Sequence, residues 1–124
     1  MQGGMSMASA KEIVERYKAA MGRGDFTAAR QLLHDDLLFQ GPIDTFNRAD
    51  EYLGASKRLA NIIQRIDVKK VFAEGNDVCV LYEMVTNTPA GTAFIVEWYQ
   101  VRGEKIGSLR AVFDARPFAA LFGH

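Results

Sequence analysis

The sequence predicts an α+β fold, with three N-terminal helices packed on one face of a curved antiparallel β-sheet built from the second half of the chain. Two observations carry this. Apolar residues recur at helical spacing as far as Ile63, and beyond Arg65 the period changes to two. The turn signals of the second half, Glu74-Gly75-Asn76-Asp77, "NTPAG" and Arg102-Gly103-Glu104, are placed as the hairpin connections of a meander.

Each element has a local reason. Ser9 followed three residues later by Glu12 is a capping-box pattern, and Ile13, Val14, Tyr17 and Met21 then form an apolar stripe that Gly22 and Gly24 end. This is helix one, over about 10–22. Asp25 caps a short second helix, "FTAARQLL", and "DDLLFQGP" reads as a short strand stopped by Gly41-Pro42. A third helix is expected from Arg48 to Gln64, capped by Asn47, with Tyr52, Leu53, Leu59, Ile62 and Ile63 on its apolar stripe. Strands follow over 66–74, 77–87, 92–102 and 105–115, and "PFAALFGH" is expected to form a closing helical turn. One domain is expected over 9–118, with residues 1–8, including "MQGGMSM", as a flexible leader.

Composition narrows the function classes. Fifteen basic residues balance fifteen acidic ones, so there is no basic excess of the kind that nucleic-acid binding requires. Lys69-Lys70 is the densest basic pair and reads as a solvated strand edge. No apolar run approaches the ~20 residues of a membrane span, and no charged-then-apolar leader is present. A cytoplasmic location is expected. The single cysteine, Cys79, lies among Val78, Val80 and Leu81 and reads as a small core residue rather than a reactive thiol. Two distant histidines, His34 and His124, do not have metal-ligand spacing, and no phosphate loop or nucleophile elbow occurs. No metal and no cofactor is expected.

Strand faces sharpen the expectation. Val78, Val80, Tyr82 and Met84 form one face of the 77–87 strand, and Leu109, Ala111 and Phe113 one face of the last strand. Both read as core. The 92–102 strand is apolar on both sides, with Phe94, Val96 and Trp98 against Ala93, Ile95, Tyr99 and Val101. Helices cover only one side of a sheet, so a second subunit is expected on the other, in an isologous homodimer. Glu97 interrupts the Ala93–Val101 face. An unpaired charge buried there costs several kcal/mol, roughly, so the group must neutralise or find a cation. The bland alternative turns Glu97 outward toward the partner subunit, to pair with Arg110 or another arginine.

Helix one through "IVERYKAAMGRGDFTAARQLLHDDLLFQGP", followed by a sheet ending in "GSLRAVFDARPF", resembles the nuclear transport factor 2-like superfamily, also called NTF2-like, SnoaL-like or cone fold. The resemblance covers about 9–118 and implies a cone of three helices on a curved sheet. Within the superfamily the chain looks similar to the Δ5-3-ketosteroid isomerases. That resemblance implies that Tyr17 is an oxyanion-donating phenol and Glu97 a protonated acid donating to the same oxyanion. It also implies an apolar pocket wall of Val80, Tyr82, Met84, Leu109, Ala111 and Phe113. Where those enzymes carry a proton-shuttling aspartate this chain has Gln40-Gly41-Pro42, so steroid isomerisation itself is not expected.

The implied function is a small-molecule pocket. It would serve a cofactor-free isomerase, cyclase or dehydratase acting on a small apolar carbonyl compound through Tyr17 and Glu97. The alternatives are a non-catalytic module for an apolar ligand and a dimerisation module. Other titratable residues have plainer readings. A base for an enzyme must come from elsewhere, and Asp44, two residues past Pro42, is the nearest carboxylate in sequence, although a loop carboxylate is ordinarily just solvated. Asp35 and Asp36 read as turn residues at the end of helix two; His34 could act at neutral pH, and its plainer reading is a complement to that helix's dipole. Arg110 and Asp114 are spaced to interact along the outer face of the last strand.

Overall fold

The computed structural model describes residues 8–119. The expected leader, apart from Ala8, and the end of "PFAALFGH" lie outside the described residues. Helix α1 spans Ala10–Gly22. Its start is the capping box read from the sequence: Ser9 Oγ accepts the Glu12 amide at 3.2 Å and Glu12 Oε1 accepts the Ser9 amide at 2.8 Å. Ile13, Val14, Tyr17 and Ala20 are buried beneath it.

Helix α2 spans Phe26–Gln31, with Asp25 Oδ1 accepting the Ala28 amide. It stops short of the expected Leu33 because the last strand competes for this backbone. The Ile106 amide donates to the Leu32 carbonyl at 2.8 Å, and Leu33 pairs with Ile106. Strand β1 therefore starts at Leu33 and runs to Gln40. His34, Asp35 and Asp36 sit on this strand, not in a helical turn. His34 Nε2 lies 2.6 Å from the Arg102 carbonyl, Asp35 pairs with Arg30 and Asp36 with Arg102.

A two-residue strand β2, Thr45–Phe46, folds back on β1, and helix α3 covers Ala49–Ala60. Arg48, not Asn47, occupies the N-cap position and makes no side-chain capping bond. The helix begins one residue later than read from the sequence, which moves Asn47 outside capping position. It also ends earlier, because the β-branched pair Ile62-Ile63 enters the sheet: Ile63 pairs with Thr86, and the Asn87 amide donates to the Ile62 carbonyl.

Strands β3 (Ile63–Glu74), β4 (Asp77–Thr86), β5 (Thr92–Arg102) and β6 (Lys105–Val112) complete one six-stranded sheet in the order β2-β1-β6-β5-β4-β3. All neighbours are antiparallel except β1 and β6. Two hairpins turn on two-residue loops, Gly75-Asn76 and Gly103-Glu104, and their glycines supply φ of +59° and +68°. Register shifts interrupt the β3–β4, β5–β6 and β1–β6 ladders, and such irregularities are where a sheet bends. Strand β6 stops at Val112, short of the expected 115. Asp114 there turns the chain by accepting the Arg116 amide at 3.0 Å, and a 3-10 turn at Arg116–Phe118 follows.

The inner face of the sheet carries Val78, Val80, Tyr82 and Met84 from β4, Ala93, Ile95, Glu97, Tyr99 and Val101 from β5, and Leu109 and Ala111 from β6. All are buried. Helix α1 packs over the central strands, and α3 over β1 and β2. The outer face carries exposed Phe72, Phe94, Trp98 and Val112. Cys79 belongs to that outer face, half-buried between its ladder partners Phe72 and Trp98, and is not a core residue as expected. Alternation decides this: with Val78 and Val80 inward, Cys79 points out. Asp114 does not bond Arg110. Its carboxylate takes Arg116 at 2.7 and 2.9 Å, and that guanidinium holds its pKa down at about 2. Among the described residues, no helix is long and apolar enough to cross a membrane.

Candidate active site

The β4–β5–β6 register builds the site. Glu97 stands opposite Val80 on one side and Ala111 on the other, and Tyr82 is two residues along β4 on the same face. Tyr99 follows Glu97 by two and shares its face. Glu97 therefore points inward, away from Arg110, and only 6% of it is exposed. The outward alternative weighed from the sequence does not hold.

Three donors converge on its carboxyl group. Lys18 Nζ, from α1, donates to Oε1 at 3.0 Å, and the Tyr99 hydroxyl donates to the same oxygen. The Tyr82 hydroxyl donates to Oε2 at 2.9 Å. Lys18 also lies 4.2 Å from the centroid of the Tyr82 ring, a cation–π contact that fixes its stem. An ammonium and two phenols aimed at one carboxyl group are an acceptor's environment. Both Glu97 oxygens therefore accept here, whereas the isomerase resemblance implied an acid that donates. A carboxylate has about four lone-pair positions. Oε1 is filled by Lys18 and Tyr99, whereas Oε2 takes Tyr82 alone and keeps one position open.

Tyr17 does not reach Glu97. Its hydroxyl donates to that of Tyr52, from α3, at 3.3 Å, and its ring packs edge-on against Tyr99 with centroids 6.0 Å apart. Tyr52 thus accepts from Tyr17 and retains its own proton for another partner. The chain has four tyrosines, Tyr17, Tyr52, Tyr82 and Tyr99, and all four are buried here. Burial pushes every one of these phenols upward from the ordinary tyrosine value, and the Glu97 charge pushes the same way.

Tyr52, Tyr82 and Glu97 face a cavity of about 510 Å³. Met84, Ile95, Ala111 and Phe113 make much of its apolar wall, while Asp44 and Arg58 also line it. Asp44 is exposed, as its loop position suggested. Val80 and Leu109, read from the sequence as pocket wall, line neither this cavity nor its neighbour. They are packed in the core at 2% and 1% exposure. Phe39 stacks on Tyr52 at 4.7 Å, and a Cβ on Gly41 would approach the Phe39 ring to 2.9 Å. Glycine at 41 therefore lets Phe39 buttress Tyr52. A second chamber of about 880 Å³ lies on the α1 side, lined by Tyr17 and Lys18 and sharing Tyr52, Tyr82 and Glu97 with the first.

The residues missed in the sequence are Lys18, Tyr52 and Tyr99 as members of the site. Lys18 had a readable signal, because it stands four after Val14 and three before Met21, on the edge of the apolar stripe. A lysine there must lie along the core boundary. Tyr52 and Tyr99 were visible only as apolar residues.

A SnoaL-like domain model matches residues 14–108, most of the chain. The protein belongs to the SnoaL-like family. Solved structures share the fold. An NTF2-like protein of unknown function from Cytophaga hutchinsonii is 26% identical over 92% of this chain and 97% of its own, with a TM-score of 0.80. A de novo designed protein with a curved β-sheet reaches 0.78 at 23% identity, covering 94% of this chain and 93% of its own. A candidate polyketide cyclase from Sinorhizobium meliloti reaches 0.74 at 13% identity, over 81% of this chain and 93% of its own. No curated protein sequence matches the chain. Fold by itself does not assign an activity.

Proposed function

We propose that this SnoaL-like protein binds a small, largely apolar carbonyl compound in the 510 Å³ cavity and moves a proton on it without a cofactor. The observation that carries this is one free acceptor position, on Glu97 Oε2, and one free donor, the Tyr52 hydroxyl, facing the same apolar cavity. Glu97 serves as general base: a proton leaves the carbon next to the carbonyl for Oε2, and the C–H electron pair moves into the enolate. Tyr52 donates to the enolate oxygen, with Tyr17 behind it as a positioning residue. Return of the proton from Oε2 to a different carbon of a conjugated enolate completes an isomerisation; alternatively the enolate carbon attacks a second carbonyl, whose π pair moves to its oxygen and takes the proton back from Oε2, and this completes a cyclisation. The base absent at Gln40-Gly41 is thereby supplied from β5. The candidate cyclase in the same fold is consistent with this chemistry. The alternative is a carrier that uses the same cavity and never abstracts a proton.

Binding tests the shared part of both. Methyl NMR of Met84, Ile95 and Ala111 during titration with small cyclic enones and phenols is expected to shift these signals, and Ala111→Phe, which fills the cavity, is expected to abolish the shifts. Shifts unchanged by Ala111→Phe, or none in the wild type, would remove the cavity as a binding site.

A second copy of the chain is the partner we infer for the outer face. Phe72, Phe94 and Val112 are each more than half exposed, and Trp98 is 42% exposed. Such an apolar surface marks an interaction site. Sedimentation is expected to show a dimer that Trp98→Glu dissociates, and a wild-type monomer at micromolar concentration would contradict it.

A further inference from the structure

Among the described residues, Lys18 is the sole cation in ion-pair contact with Glu97. The groups around that carboxylate come from several elements: Tyr17 and Lys18 from α1, Tyr52 from α3, Tyr82 from β4 and Tyr99 from β5. The phenols donate hydrogen bonds but carry no charge, so compensation of the buried anion falls to Lys18. Its side chain is 22% exposed and reaches Glu97 from the 880 Å³ chamber, opposite the proposed ligand. It consumes a lone pair on Oε1 and leaves Oε2 untouched.

We infer that Lys18 is a positioning and specificity-determining residue: it holds Glu97 as a carboxylate, aims Oε2 into the 510 Å³ cavity, and so selects neutral carbonyl compounds over phenolate- or enolate-like anions. This rests on Glu97 being the base. With the ammonium present, the cavity floor is an acceptor that repels anionic ligands. Without it, an apolar pocket favours the neutral acid, and the same side chain becomes a donor that welcomes them. One residue on α1 therefore chooses between base chemistry and the protonated-acid arrangement.

The test reads Glu97 directly and needs no natural substrate. The carboxyl carbon resonance of Glu97, assigned by its loss in Glu97→Gln, is recorded at neutral pH for wild type, Lys18→Met, Lys18→Gln and Lys18→Arg. Wild type and Lys18→Arg are expected at the carboxylate position, and Lys18→Met and Lys18→Gln at the carboxylic-acid position. Binding of 4-nitrophenolate is expected to tighten at least about tenfold in Lys18→Gln, equivalent to about 1.4 kcal/mol. Lys18→Met keeps the stem over Tyr82, and Lys18→Gln also keeps a donor toward Oε1, so one folded charge-free variant suffices. A carboxylate signal in either variant, or unchanged phenolate binding, overturns the inference. A protein that passes this test yet exchanges no ketone proton would retain the role of Lys18 and lose the proposed reaction.

Discussion

Replacing Glu97 by Leu is expected to destabilise the protein by about 3–5 kcal/mol, measured by urea denaturation. Removing one member of a buried ion pair costs this much because the other charge is left uncompensated. Here the damage spreads further. Lys18 loses its partner, and the buried Tyr82 and Tyr99 hydroxyls lose their acceptor. Lys18 is partly exposed and can turn toward the α1-side chamber, which places the expected cost at the lower end of that range. Glu97→Gln keeps the volume and an acceptor for Tyr82 but not the charge, and is expected to cost about 1.5–3 kcal/mol, the value of hydrogen bonds to a charged group. A neutral, merely packed acid predicts otherwise: Glu97→Gln would then be nearly silent. A loss below about 1 kcal/mol for Glu97→Leu would contradict the carboxylate assignment.

Alkaline titration is expected to give the second large effect. All four phenols are raised above the ordinary value of 10.0, chiefly by burial and then by the nearby carboxylate for Tyr82 and Tyr99. The sign follows from linkage. The folded protein keeps these protons more tightly than the unfolded chain, so their contribution is fully present below about pH 10 and is lost as pH rises toward the folded values. Each phenol costs at most about 1.4 kcal/mol per pH unit in that window. With four acting together against a typical total stability of about 5–15 kcal/mol, the folded state should end by about pH 12. Tyrosinate absorbance is expected to appear in one cooperative step coincident with loss of the far-ultraviolet dichroism. A phenol ionising near pH 10 while the protein remains folded would show that it is solvated, and would break the cluster.

Much of the fold was legible because it rests on local rules. The Ser9–Glu12 box, the helical stripe of α1, the alternation of β4 and the Gly75 and Gly103 turns each follow from neighbours within a few positions. Boundaries failed where a distant strand competed for the same backbone, as Ile106 did for Leu32 and Thr86 for Ile63. The Arg110–Asp114 pairing failed for a related reason: the strand ends at Val112, so spacing along it no longer applied. At the site, Glu97 was conspicuous as one carboxylate on an apolar strand face. Its partners were not. Lys18 lies 79 positions away in the chain and Tyr52 is joined to Tyr17 across 35; the helical position of Lys18 marks it as a core-boundary lysine, but nothing local names its partner or sets Tyr52 apart from a core tyrosine. The contacts Glu97 accepts include that distant lysine, and nothing beside Glu97 in the chain pointed to it.

Deuterium exchange at the α-carbon of small cyclic ketones, followed by proton NMR with wild type and Glu97→Gln side by side, tests proton abstraction most directly. The wild type is expected to exchange α-protons about a hundredfold or more faster than buffer, the usual contribution of a positioned base. Glu97→Gln, confirmed as folded, is expected to fall to the buffer rate. Wild-type exchange no faster than buffer across ketones that bind the cavity, or equal exchange by the two proteins, would contradict the assignment of Glu97 as the base.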